Sequence, residues 1–179
     1  MKGFYKLFHR PGLLLLKGWI QLALLVYFRR IKVVGRENIP KGKPIIFAPN
    51  HQYAFMDALL LVMVTWKIPY FLVRADNFKK SFFSFLLRTQ KMMPVYRQRD
   101  SVDVISKNEE TFSKCVDILN NGKHLTIFPE GNHSKIRKIR PIRKGLLRIG
   151  FRTINENPES NNLVIIPVGI NYDDHSRFQ

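Results

Sequence analysis

Asn50-His51-Gln52-Tyr53-Ala54-Phe55-Met56-Asp57 sets a histidine and a carboxylate six positions apart, directly after the apolar run Ile45-Ile46-Phe47-Ala48. A histidine accepts a proton near neutral pH, and a carboxylate beside it fixes its tautomer and stabilises the imidazolium. No serine stands in the segment to act as a nucleophile. The pattern therefore favours direct activation of a substrate hydroxyl over a covalent intermediate. The plain alternative is a helix-capping aspartate beside a hydrogen-bonded core histidine.

Phe128-Pro129-Glu130-Gly131-Asn132-His133-Ser134 follows a second apolar run, His124 to Phe128. Glu130 there can accept from a substrate hydroxyl or a neighbouring arginine, and Gly131 gives the backbone freedom to turn. Two basic segments complete the set: Tyr96-Arg97-Gln98-Arg99, and KIRKIRPIRK over 135–144. Guanidinium groups bind phosphate in bidentate fashion, so Arg97 and Arg99, placed just after a strand, are candidate anion contacts. The longer run suits anionic headgroups or a solvated face. Asp173-Asp174-His175 reads as a solvated turn, since adjacent residues rarely converge on one ion, and no metal site is expected. Cys115 is the single cysteine, in the helical spacing Phe112, Cys115, Val116, Leu119, and reads as core; one cysteine excludes an intramolecular disulfide framework.

The elements that must position these residues alternate. Short apolar runs at 45–48, 70–73, 124–128 and 164–168 read as buried strands. Asp57 to Trp66, 78–88, 101–120 (capped by Ser101 or Asp103) and Leu146 to Phe151 read as helices. The alternation predicts an α/β fold, with a mixed central sheet flanked by helices.

With 179 residues the chain supports one sizeable core. Its 30 Lys and Arg against 13 Asp and Glu give a net charge of +17, which bears on partners rather than fold. Anionic lipid surfaces, nucleic acid and phosphorylated substrates all fit that charge. No helix-turn-helix, RNA-recognition or zinc pattern accompanies it, so a nucleic-acid partner is not expected. Residues 13–28, LLLLKGWIQLALLVYF, are apolar apart from Lys17 and Gln21 and have basic flanks. The run is short of the ~20 apolar residues of a full span. An interfacial helix tolerates the internal charge, with Lys17 snorkelling and Trp19 and Tyr27 at headgroup level. Residues 1–34 are therefore expected to form an N-terminal membrane-associating helical segment, amphipathic or membrane-inserted, ahead of a domain over 35–179. The expected location is peripheral or monotopic, at the cytoplasmic face.

Four blocks, NHQYAFMD, PVYR, FPEGNHS and VIIPVGINY, resemble in order the motifs of the glycerolipid acyltransferase superfamily, the 1-acyl-glycerol-3-phosphate acyltransferases and their relatives. They span residues 50–172, most of the chain. The resemblance implies catalytic roles for His51 and Asp57, phosphate contact for Arg97, the Glu–Gly of the third block at Glu130 and Gly131, and a residue shaping the acyl-chain side at Pro167. It implies acyl transfer from acyl-CoA or acyl carrier protein to a lysophospholipid-type hydroxyl, 1-acyl-glycerol 3-phosphate foremost, with no bound cofactor. Two departures stand out. Five residues separate His51 from Asp57 where the family pattern has four, and one extra helical residue swings a side chain by about 100°. Asn132-His133-Ser134 replaces the usual Thr-Arg-Ser. The chain also stops soon after the fourth block, where relatives of that superfamily continue, which fits a domain truncated at its C-terminus. These features also fit a catalytically impaired lipid-binding protein of the same fold.

Overall fold

The computed structural model describes residues 2–53, 55–79, 81–96, 104–132, 134, 138, 140–158 and 162–173. The expected strand runs form β1 (Ile45–Pro49), β2 (Tyr70–Arg74), β4 (His124–Thr126) and β5 (Val164–Val168); Met92–Val95 adds β3. Between them lie α2 (Met56–Val64), α3 (Ser81–Thr89), α4 (Val104–Asn120) and α5 (Gly145–Glu156), and α1 (Lys2–Tyr27) precedes the sheet. The expected capping residues Ser101 and Asp103 lie outside the described residues, as do Asp174 and His175 of the C-terminal turn.

The strands lie in the order β3-β2-β4-β1-β5. The α/β architecture is the one expected, but the sheet is parallel rather than mixed: all four pairings among the described residues run parallel. A helix lies between each pair of successive strands, the arrangement that returns the chain to the same end of the sheet. β1 sits between β4 and β5 and is buried on both faces, which is why Ile45-Ile46-Phe47 is continuously apolar rather than alternating. β5 is an edge strand, and its alternating burial leaves Ile165 and Pro167 exposed. Proline is tolerated there because an edge strand spares one ladder of hydrogen bonds.

Two apolar layers fill the faces. Ile46, Leu125 and Ile127 pack with Cys115 and Leu119 of α4 and Leu146 and Ile149 of α5. Burial pushes the Cys115 thiol up to about 12, so it is an inert core group. On the opposite face Ile45, Phe47 and Phe71 pack with Leu61 and Val62 of α2. Thus β1 leads to a helix on one face, and its neighbour β4 leads to a helix on the other. At such a switch point, outside the carboxyl ends of the strands, α/β proteins bind their ligands.

α1 is oriented against the usual sense of an amphipathic helix. Leu24 is buried and Ile20 packs on the α2 layer, while Leu14, Leu15, Trp19, Leu22, Leu25 and Val26 face outward; Trp19 is 70% exposed and Val26 72%. The polar residues of the segment point inward. Lys17 Nζ donates to the Thr65 carbonyl and, at 3.3 Å, to that of Trp66, and Gln21 donates to Met63 at 3.5 Å. Lys17 therefore does not snorkel as expected. It satisfies carbonyls at the C-terminus of α2, where a cation also complements the helix dipole. Arg36 joins this cluster, stacking over Trp66 at 4.0 Å. Burial, and then the charge of Arg36, lowers the Lys17 ammonium below the usual lysine range. No helix among the described residues is long and apolar enough to cross a membrane.

Candidate active site

The site begins where β1 ends. Asn50 clasps the exit of β5: its Nδ2 donates to the Ile170 carbonyl at 2.9 Å and its Oδ1 accepts from Ile170 N–H at 2.6 Å. The chain then turns. Asp57 N–H bonds the Tyr53 carbonyl at 3.0 Å and Leu59 N–H bonds that of Phe55 at 3.2 Å, so a helical turn already winds ahead of α2. Asp57 lies at the second position of α2 and is wholly buried. Its carboxylate reaches back across this turn. Oδ2 accepts from Gln52 N–H and Tyr53 N–H, both at 2.8 Å, and meets His51 Nδ1 at 2.9 Å. The five-residue spacing is absorbed in this way: the added residue lengthens the turn that the carboxylate spans, and the His–Asp contact survives.

Oδ1 of Asp57 is held separately. The Tyr172 hydroxyl, 115 residues away, donates to it at 2.6 Å. Burial first, then this bond to Asp57, raises the phenol well above the usual tyrosine range, so it remains a donor. Four groups thus converge on one carboxylate, two of them backbone amides. An acceptor-only Asp57 requires the proton on His51 Nδ1, which makes Nε2 the basic nitrogen. Tyr172 stood within the fourth sequence block without an assigned role. No local signal marks it, because its partner is distant in the chain. Tyr172 also packs edge-on to Tyr53, centroids 5.1 Å apart, and lies 6.1 Å from Phe28 just beyond α1.

The turn after β4 closes on the same histidine. Ile127 N–H extends the β1 pairing by donating to the Phe47 carbonyl at 3.0 Å. Phe128 then stacks on the His51 ring, centroids 3.9 Å apart and planes 24° from parallel. Ser134 N–H donates to the His51 carbonyl at 3.0 Å. The side chain of His51 is 12% exposed, so the ring is not sealed from outside. Glu130 is paired with an arginine. Its buried Oε2 takes Arg140 Nε at 2.8 Å and a second Arg140 nitrogen at 2.6 Å, which is the neighbouring-arginine alternative of the sequence pattern. Gly131 adopts φ +72°, the left-handed region, and a Cβ there would lie 2.8 Å from Cδ and Nε of Arg143. Glycine is thus required twice over, by conformation and by space.

Of the sequence candidates, His51 and Asp57 meet directly, and Glu130 and Gly131 sit on the adjoining turn. Pro167 lies apart, exposed on β5 in register with Ala48. Arg97 and Arg99 lie outside the described residues.

A family model described as Acyltransferase matches residues 30–171. Mitochondrial glycerol-3-phosphate acyltransferase 1 of Rattus norvegicus is 28% identical over 91% of this chain and 21% of its own length. The 1-acyl-sn-glycerol-3-phosphate acyltransferase of Borreliella burgdorferi is 26% identical over 80% of this chain and 55% of its own. The chain thus spans about a fifth of the first of these relatives and about half of the second. The crystal structure of the 1-acyl-sn-glycerophosphate acyltransferase PlsC from Thermotoga maritima superposes with a TM-score of 0.63 at 20% identity, covering 91% of this chain and 68% of that one, so the two share a fold. With the family model matched over most of the chain and both site-bearing strand ends inside the match, this chain belongs to the acyltransferase family.

Proposed function

We propose that this chain transfers a fatty acyl group from the thioester of acyl-CoA or acyl carrier protein to a hydroxyl of a phosphorylated glycerolipid, 1-acyl-glycerol 3-phosphate foremost. The observation that carries this is the His51 Nδ1–Asp57 Oδ2 contact of 2.9 Å on a buried, fully hydrogen-bonded carboxylate, at the carboxyl end of a central strand. His51 Nε2 takes the acceptor's hydroxyl proton as the oxygen attacks the thioester carbonyl carbon. The tetrahedral intermediate collapses with cleavage of the C–S bond, and the thiolate leaves with the proton His51 had taken. Asp57 holds the ring and stabilises the imidazolium between the two transfers. On the sequence pattern, Arg97 and Arg99 contact the acceptor's phosphate. The scheme uses no metal or resident cofactor; the acyl donor is a co-substrate.

The outward apolar face of α1, followed by exposed Arg29, Arg30 and Lys32, suits seating in the interface of an anionic membrane without spanning it. That would bring the site to the cytoplasmic surface where both lipid substrate and product reside. The test is transfer from labelled acyl-CoA and acyl carrier protein to a panel of lysophospholipids, wild type beside His51→Ala. General-base catalysis contributes about 10²–10⁴-fold, so the variant should lose nearly all turnover while keeping its fold. Equal turnover in the two proteins would overturn the mechanism; binding to anionic vesicles without turnover by either would mark a lipid-binding protein instead.

A further inference from the structure

The turn after β4 carries two arginines with opposite fates. Arg140 spends its guanidinium on Glu130, a pair in which the carboxylate is almost wholly buried. Arg143, three residues on, pairs with no carboxylate among the described residues. Yet it is not a loose surface cation. Its backbone N–H donates to the Pro129 carbonyl at 2.9 Å, its Nε lies 3.4 Å from the Glu130 carbonyl, and its side chain occupies the space left by the missing Cβ of Gly131. The guanidinium is therefore held against the turn whose Phe128 stacks on His51 and whose Ser134 bonds the His51 carbonyl. The Glu130 carboxylate is already answered by Arg140. An exposed guanidinium held on the turn that also packs against His51 suits a phosphate monoester, which it can meet with two parallel N–H donors.

We propose that Arg143 binds the phosphate of the acceptor, with the Glu130–Arg140 pair and Gly131 serving to position it. In the third motif, where the family pattern has arginine, this chain has His133; Arg143 supplies a guanidinium later in the sequence. The assignment rests on the acyl-transfer reading for its substrate, but not for its test. Binding of glycerol 3-phosphate to the detergent-solubilised protein is measured by calorimetry, and transfer to 1-acyl-glycerol 3-phosphate is followed over a range of acceptor and of acyl-CoA. Arg143→Gln should weaken binding and raise the acceptor KM by about 10- to 100-fold, the range for a charged hydrogen bond, with kcat and the acyl-CoA KM little changed. Arg143→Lys, which keeps the charge but not the fork, should recover part of the loss. Binding that is lost in Arg143→Gln while wild type shows no transfer would support the phosphate site and refute the catalytic reading. An unchanged acceptor KM, an effect confined to acyl-CoA, or failure of wild type to bind glycerol 3-phosphate would each overturn the assignment.

Discussion

Replacing Tyr172 by phenylalanine removes one oxygen and nothing else from the core, and that oxygen donates to Asp57 Oδ1. A buried hydrogen bond to a charged group contributes about 1.5–3 kcal/mol, so Tyr172→Phe should lower unfolding free energy by about 2 kcal/mol. The catalytic effect is smaller than losing the pair, because Oδ2 keeps two backbone donors and His51. If about half of that energy is expressed in the transition state, kcat falls by about fivefold. Acyl-transfer rates at saturating substrate, with urea denaturation of both proteins, measure both quantities. A loss of stability with an unchanged rate would mean that the bond only holds the fold; an unchanged rate and stability would refute the role of the bond altogether.

Three further outcomes are expected. Glu130→Gln removes the charge that Arg140 answers, and breaking one partner of a largely buried pair should cost about 2–3 kcal/mol in urea unfolding, with a sub-additive effect when combined with Arg140→Gln. His124, half-buried at the start of β4, is held below its ordinary value by burial and then by Lys67 and Lys91, so the unfolded chain binds the proton more readily. Stability should therefore be full above the ordinary histidine range and fall as pH drops below about 6.5, a component that His124→Leu removes from denaturation curves. Lys17→Leu leaves the carbonyls of Thr65 and Trp66, just past the end of α2, without their cation; unfolding free energy should drop by about 1–2 kcal/mol while partition into anionic vesicles rises, read by sedimentation.

Most of the architecture was legible from short-range pattern. The run at 45–48 is apolar because its strand is covered on both faces, those at 70–73 and 164–168 are short apolar segments of the same parallel sheet, and the breaks at Pro49-Asn50 and Asn121-Gly122 end their elements by turn chemistry. The placement of His51 at a strand end was legible for the same reason. What composition could not supply was pairing at a distance. Nothing near Tyr172 shows that it bonds Asp57, and nothing in the periodicity sets β4 beside β1. The direction of α1 was hidden for another reason. Its apolar residues outnumber its polar ones, so a core-facing apolar stripe and an outward one look alike until the carbonyls of Met63, Thr65 and Trp66 claim Gln21 and Lys17. Lengthening the His–Asp spacing by one reads as a broken contact if Asp57 is placed on an ideal helix. It reads as a longer capping turn once the amides of Gln52 and Tyr53 are in view.

The clasp between Asn50 and Ile170 also orders events in time. The two residues are 120 positions apart, and Tyr172 lies just beyond. A chain emerging from the ribosome exposes His51 and Asp57 early, but β1 keeps an unpaired edge and Asp57 lacks its fourth donor until β5 arrives. Contacts of such long sequence separation form late. A nascent chain that stalls before residue 170 therefore carries its histidine and aspartate without the strand that secures them, and its open β1 edge is a sticky surface that a chaperone must cover.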